Sequence, residues 1–158
     1  MPWIQNISYA DVQKGHHIKV NENSMLIQIV DPAHEVPEAM YADVFAETHV
    51  FEFLDLEEKD FMCEEFKITD EQARDLVKLL RHALTRQMDV VVHCTAGICR
   101  SGAVTEVGVM MGFHDTETFR SPNLLVKHKM MKVLGWTYDE DEEHTYIHSS
   151  VSKDIFMP

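Results

Sequence analysis

The stretch Val91-Val92-His93-Cys94-Thr95-Ala96-Gly97-Ile98-Cys99-Arg100-Ser101 ends an apolar run on a cysteine and places an arginine six positions later. A short loop that curls into a helix N-terminus aims successive backbone N–H groups inward, and such a concavity binds a tetrahedral anion. The N–H groups of Thr95, Ala96, Gly97, Ile98, Cys99 and Arg100 are the expected phosphate donors. Gly97 provides a backbone conformation or a close approach that a side chain forbids. Arg100 brings a planar fork able to grip two phosphate oxygens and follow them into a transition state. Cys94, held as a thiolate by the same donors, attacks phosphorus to give a cysteinyl-phosphate that water later hydrolyses. Ser101 can donate a hydrogen bond to the sulfur as it leaves, and His93 is expected to orient the loop without acting as a base. A buried structural cysteine is the plain alternative for Cys94, but burial does not require the accompanying Gly, Arg and Ser. At ordinary residue abundances the combination arises by chance less than about once per hundred thousand cysteines.

These residues resemble the phosphate-binding signature of the protein tyrosine phosphatases, His-Cys, five residues, Arg-Ser. Arg120-Ser121-Pro122-Asn123 is similar to the Ser-Pro-Asn segment that follows the signature in dual-specificity phosphatases, where the Asn helps to hold the phosphate loop. The resemblance spans roughly residues 48–135 and implies the compact dual-specificity branch. Asn123 would inherit the supporting role, although a polar residue in a helix's first turn is an equally ordinary reading. The family also requires an Asp as general acid, on a loop after a strand that precedes the signature. Asp55, directly after a strand-like run ending at Leu54, is preferred, and Asp60 is the alternative. Glu57 and Glu58 read as solvated surface, the usual fate of a charge run. Cys99 just before Arg100 resembles an arrangement in low-molecular-weight tyrosine phosphatases, where the two thiols can form a protective disulfide. A reversible Cys94–Cys99 bridge is therefore one reading, and a small residue filling a small slot is the other. Cys63 has no assigned role.

Several elements must position this loop. Val90-Val91-Val92 reads as a central strand buried on both faces. Thr69 with Gln72 forms a capping box ahead of Ala73, Leu76, Val77, Leu80, Ala83 and Leu84 at helical spacing. Met25–Val30 and Thr48–Leu54 read as strands, and His17–Val20 as another before the turn Asn21–Ser24. Ser101–Met111 reads as a helix starting directly from the loop. A last helix is expected with Ser121 as N-cap, Pro122 at its first position and Gly135 just past its end. Strands alternating with helices predict an α/β domain, a central, mainly parallel sheet flanked by helices, over residues 1–136, followed by an acidic tail, 137–158.

Composition bounds the rest. The 158 residues carry a net charge of −13, which argues against general affinity for nucleic acid or anionic lipid. The charge is uneven: residues 31–65 hold twelve acidic residues against Lys59, while residues 66–135 hold ten Lys/Arg against seven Asp/Glu. An anion site belongs in the second segment on electrostatics alone. Three cysteines do not make a disulfide framework, no apolar run reaches membrane-spanning length, and Met1-Pro2-Trp3-Ile4 lacks a secretory signal's features, so a cytoplasmic setting is expected. Ten histidines show no metal-ligand spacing; His82 and His128 read as surface or packing residues and the helical Met110, Met111, Met130 and Met131 as core filler, so neither metal nor cofactor is expected. The expected activity is hydrolysis of a phosphomonoester on a phosphorylated protein or peptide. A phosphate-binding adaptor with little turnover is the alternative from another class. A phosphoinositide or RNA 5′-phosphatase with the same loop is a third reading, and Arg100-Ser101 at the helix start disfavours a rhodanese-like sulfurtransferase.

Overall fold

The computed structural model describes residues 1–15, 20–32 and 45–136. Five strands, β1 (Trp3–Ser8), β2 (Ser24–Val30), β3 (Glu47–Glu52), β4 (Asp89–Cys94) and β5 (His114–Asp115), form one sheet in the order β3-β2-β4-β1-β5. Every neighbouring pair runs parallel, with Ile4 opposite Val90, Met25 opposite Val90, and Met25 opposite Glu47. Among the described residues four α-helices accompany it: α1 (Tyr9–Lys14), α2 (Asp70–Thr85), α3 (Arg100–Met111) and α4 (Leu124–Val133). This is the α/β architecture expected.

Alternation along the strands divides the core between two faces. Ile4, Met25, Ile27, Val90 and Val92 pack with α2, α3 and α4, whereas Ile7, Leu26 and Val91 pack with Val12 of α1 and Phe45. β4 is central because its apolar run satisfies both faces at once; Val90, Val91 and Val92 are fully buried. The capping box of α2 is present in both halves, with the Thr69 hydroxyl accepting from the Gln72 N–H and Gln72 Oε1 accepting from the Thr69 N–H. Its expected face, Ala73, Leu76, Val77, Leu80 and Ala83, is buried, and Met130 and Met131 are core as expected.

The structure departs from the expectations at several places. β1 was not anticipated: its Gln5 and Asn6 are buried polar residues that break the apolar alternation a strand usually presents. The last helix starts later than expected. Asn123, not Ser121, is its N-cap, because the Asn123 side chain accepts the Val126 N–H at 2.9 Å, while the Ser121 and Asn123 N–H groups bond the carbonyls of Ile98 and Cys99. Glu57 is not solvated surface, as described below. Of the strand expected over His17–Val20, positions 17–19 lie outside the described residues and Val20 is not in a strand; the tail 137–158 also lies outside them.

Candidate active site

The loop between β4 and α3 is clamped from beneath by β1. The Gly97 Cα lies so close to that strand that a Cβ there would stand 2.3 Å from the Ile7 carbonyl carbon and 2.3 Å from the Ser8 nitrogen, and its φ is +75°. Asn6, fully buried, donates through Nδ2 to the Gly97 carbonyl at 2.7 Å and to the Phe119 carbonyl at 2.9 Å. The Tyr9 N–H reaches the Thr95 carbonyl at 3.2 Å. The loop's carbonyls at 95, 97, 98 and 99 thus all accept hydrogen bonds from the surrounding frame. Cys99 makes no side-chain capping bond at the start of α3, so no side chain of its own closes the helix's positive end.

Cys94 lies at the base of the loop, buried, with Sγ 3.1 Å from Ser101 Oγ and 3.4 Å from the Ser101 N–H. The first turn of α3 therefore contributes both a hydroxyl and an amide to the sulfur. His93 stands behind it. Its Nε2 lies 3.2 Å from Gln28 Oε1, and Tyr9 packs edge-on against the ring at 6.2 Å. Burial pushes His93 down to about 4, with the nearby Cys94 backbone opposing and the Arg100 charge adding. The ring is held at Nε2 by Gln28, while its Nδ1 is buried without a hydrogen-bond partner among the described residues.

Arg100 is 5% exposed and is anchored along one side. Its Nη1 donates to Asp31 Oδ1 and to the Phe53 carbonyl, both at 2.7 Å, and Nη2 donates to Thr95 Oγ1 at 3.1 Å. Nε is buried without a hydrogen-bond partner among the described residues. The Nε–Nη2 edge is the one a bidentate oxyanion would take. Asp31, at the end of β2, was not singled out from sequence. A lone Asp before Pro32 reads there as a turn residue.

The acidic loop approaches from the other side. Asn123 Nδ2 donates to Asp55 Oδ1 at 2.7 Å and to the Leu56 carbonyl at 3.0 Å. Asp55 lies beside the Cys99 thiol; burial first, and then the Asp55 charge, push that thiol up. Asp60 instead accepts the Glu57 N–H at 2.7 Å and closes a turn. Glu57 accepts the Leu124 and Leu125 N–H groups, each at 3.0 Å, so it caps α4. The Asn123 backbone N–H thus bonds the loop between β4 and α3 at Cys99, while its side chain bonds the acidic loop. Cys94, Arg100, Ser101, Asn123 and Asp55 come together; Asp60 joins them only through the turn it closes. Asn6, Gln28, Asp31 and Glu57 are the contributors that sequence reasoning missed.

No protein-family model and no curated protein matches the chain. Among solved structures it is similar to the human tyrosine phosphatase-like serine/threonine/tyrosine-interacting protein, at 15% identity over 85% of this chain and 93% of that one, with a TM-score of 0.58. It is also similar to human DUSP28, at 15% identity over 84% of this chain and 92% of that one, with a TM-score of 0.52. At such identities the likeness is one of fold, and the fold is that of the tyrosine and dual-specificity phosphatases. Among the described residues no helix is long and apolar enough to cross a membrane.

Proposed function

We propose that this chain of phosphatase fold is a cysteine-dependent phosphomonoesterase acting on phosphorylated proteins or peptides. The observation that carries the reading is the convergence on one loop of Cys94 Sγ, 3.1 Å from Ser101 Oγ, and of an Arg100 whose Nη1 is anchored while Nε has no partner among the described residues. In the first step the Cys94 sulfur attacks phosphorus, the bond to the leaving oxygen breaks, and Asp55 delivers its proton to that oxygen. Arg100 and the loop amides follow the phosphoryl oxygens through the transition state. In the second step water attacks the cysteinyl-phosphate, Asp55 takes the water's proton, and the Ser101 hydroxyl donates to the departing sulfur. Asp55 is preferred over Asp60 because the Asp60 carboxylate is engaged in the Glu57–Asp60 turn, whereas Asp55 touches Cys99 and Asn123 beside the phosphate loop.

The test is hydrolysis of para-nitrophenyl phosphate from mildly acidic to neutral pH, in chelator and reductant. Cys94→Ser and Arg100→Ala should abolish turnover, and Asp55→Asn should lower it more than Asp60→Asn. A folded wild-type protein that binds vanadate without turnover would shift the reading to a phosphate-binding adaptor. That alternative draws support from one structural neighbour, which is named as phosphatase-like and as an interacting protein.

A further inference from the structure

We infer that Glu57 is a positioning residue, a latch that fastens the acidic loop to the first turn of α4 and thereby fixes Asp55 over the phosphate loop. Its chemical consequence rests on the phosphatase reading above. A helix leaves its first N–H groups without internal partners. In α4 the Asn123 side chain satisfies only Val126, and the Leu124 and Leu125 N–H groups are taken by the two oxygens of Glu57, 67 and 68 positions earlier in the chain. A carboxylate at a helix N-terminus is favoured by both hydrogen bonding and the helix dipole.

The latch is one link in a continuous chain of contacts. The Asn123 N–H bonds the Cys99 carbonyl in the phosphate loop, its Nδ2 bonds Asp55 Oδ1 and the Leu56 carbonyl, and Glu57 ties the next residue to α4. The arrangement is maintained against cost: burial, and then the neighbouring Asp55 and Asp60 charges, push the Glu57 carboxyl up. An acid with no structural duty would turn to solvent, as the adjacent exposed Glu58 does. Without the latch, Asn123 would be left to hold the Asp55 end of the loop, whose next turn Lys67 holds through the Glu58 carbonyl at 3.1 Å.

A general acid matters in proportion to how badly the leaving group needs a proton, and this separates positioning from mere stability. Glu57→Gln and Glu57→Ala would be compared with wild type and Glu58→Gln on phenyl phosphate and on 2,4-dinitrophenyl phosphate, whose leaving group departs unprotonated. The expected result is a fall of about tenfold or more in kcat on phenyl phosphate, a change within about twofold on the dinitrophenyl ester, and unaltered vanadate affinity. Equal losses on both esters, or no loss on either, would overturn the inference. If wild type binds vanadate and hydrolyses neither ester, the phosphatase reading fails and amide exchange decides the latch by itself. Faster exchange at Leu124 and Leu125 in Glu57→Gln than in Glu58→Gln would uphold it, and equal rates would remove it.

Discussion

The two edges of the Arg100 guanidinium have different neighbours, and the difference assigns Asp31 a task. Nη1 is tied to the Asp31 carboxylate and the Phe53 carbonyl, which sets the plane of the fork and presents the Nε edge to the loop. Asp31→Ala should release that plane and weaken vanadate binding by about tenfold, with KM raised alike for every aryl ester, the cost of roughly one charge-assisted hydrogen bond. Tighter vanadate binding would instead make Asp31 a competitor of phosphate for the arginine. Cys99 permits a second prediction. Its thiol is pushed up by burial and by Asp55, so it is a poor source of the thiolate that resolves an oxidised cysteine. Under peroxide, peptide mapping should find Cys94 sulfinic acid before any Cys94–Cys99 bridge, and a bridge appearing first would restore the redox reading. Cys94, Arg100 and Ser101 were legible because they are nearly contiguous and their types are unusual together. Asp31, Asn6 and Glu57 reach the loop from distant segments, and nothing in a single Asp, Asn or Glu announces that.

At the level of elements, the loop and β1 fit so closely that Gly97 acts as a spacer between them. Gly97→Ala combines a left-handed backbone with a methyl group driven into the Ile7–Ser8 peptide. Gly135 shares the positive φ, +77°, but has open space where its Cβ would go. Gly135→Ala should therefore lose only about 1 kcal/mol for backbone strain. Gly97→Ala should lose at least about 2 kcal/mol more from overpacking, together with vanadate affinity. Thermal unfolding of the two variants checks the difference; similar losses would mean that β1 yields easily. The elements that sequence revealed, α2, β4 and α3, carry local signals: a capping box, an apolar run, a loop that becomes a helix. β1 escaped because Asn6 serves the loop's carbonyl at Gly97 and not the apolar core. The start of α4 was placed two residues early because Ser121 and Pro122 are good helix starters, while the decisive bonds run to Ile98, Cys99 and Glu57.

Over the whole molecule, the acidic stretch from 31 to 65 is not the uniform solvated face its composition suggests. Asp31 bonds Arg100, Asp55 bonds Asn123 and Glu57 caps α4, so all three turn toward the more basic segment. The loop's stability is tied to pH through His93, whose fully buried ring sits between β2 and the Cys94 backbone. Its folded value of about 4 lies below the ordinary 6.5, so the unfolded chain takes up the proton first. Above the ordinary value both states are neutral and nothing is lost; as pH falls from there toward the folded value, stability drains away. The loss is about 2 kcal/mol by roughly pH 5 and about 3 kcal/mol at the bottom of the window. Glu47, held low by hydrogen bonds to His49 and His82, acts in the same direction at more acidic pH, whereas the raised Glu57 carboxyl opposes it. For a chain of this length the His93 contribution should lower Tm by roughly 4–8 °C between neutral pH and about pH 5. His93→Gln, which retains a neutral polar side chain, should start from a lower Tm and lose fewer degrees over the same interval. An undiminished slope in that variant would place the acid sensitivity elsewhere, with His128, also pushed down to about 4 by burial, the next group to replace.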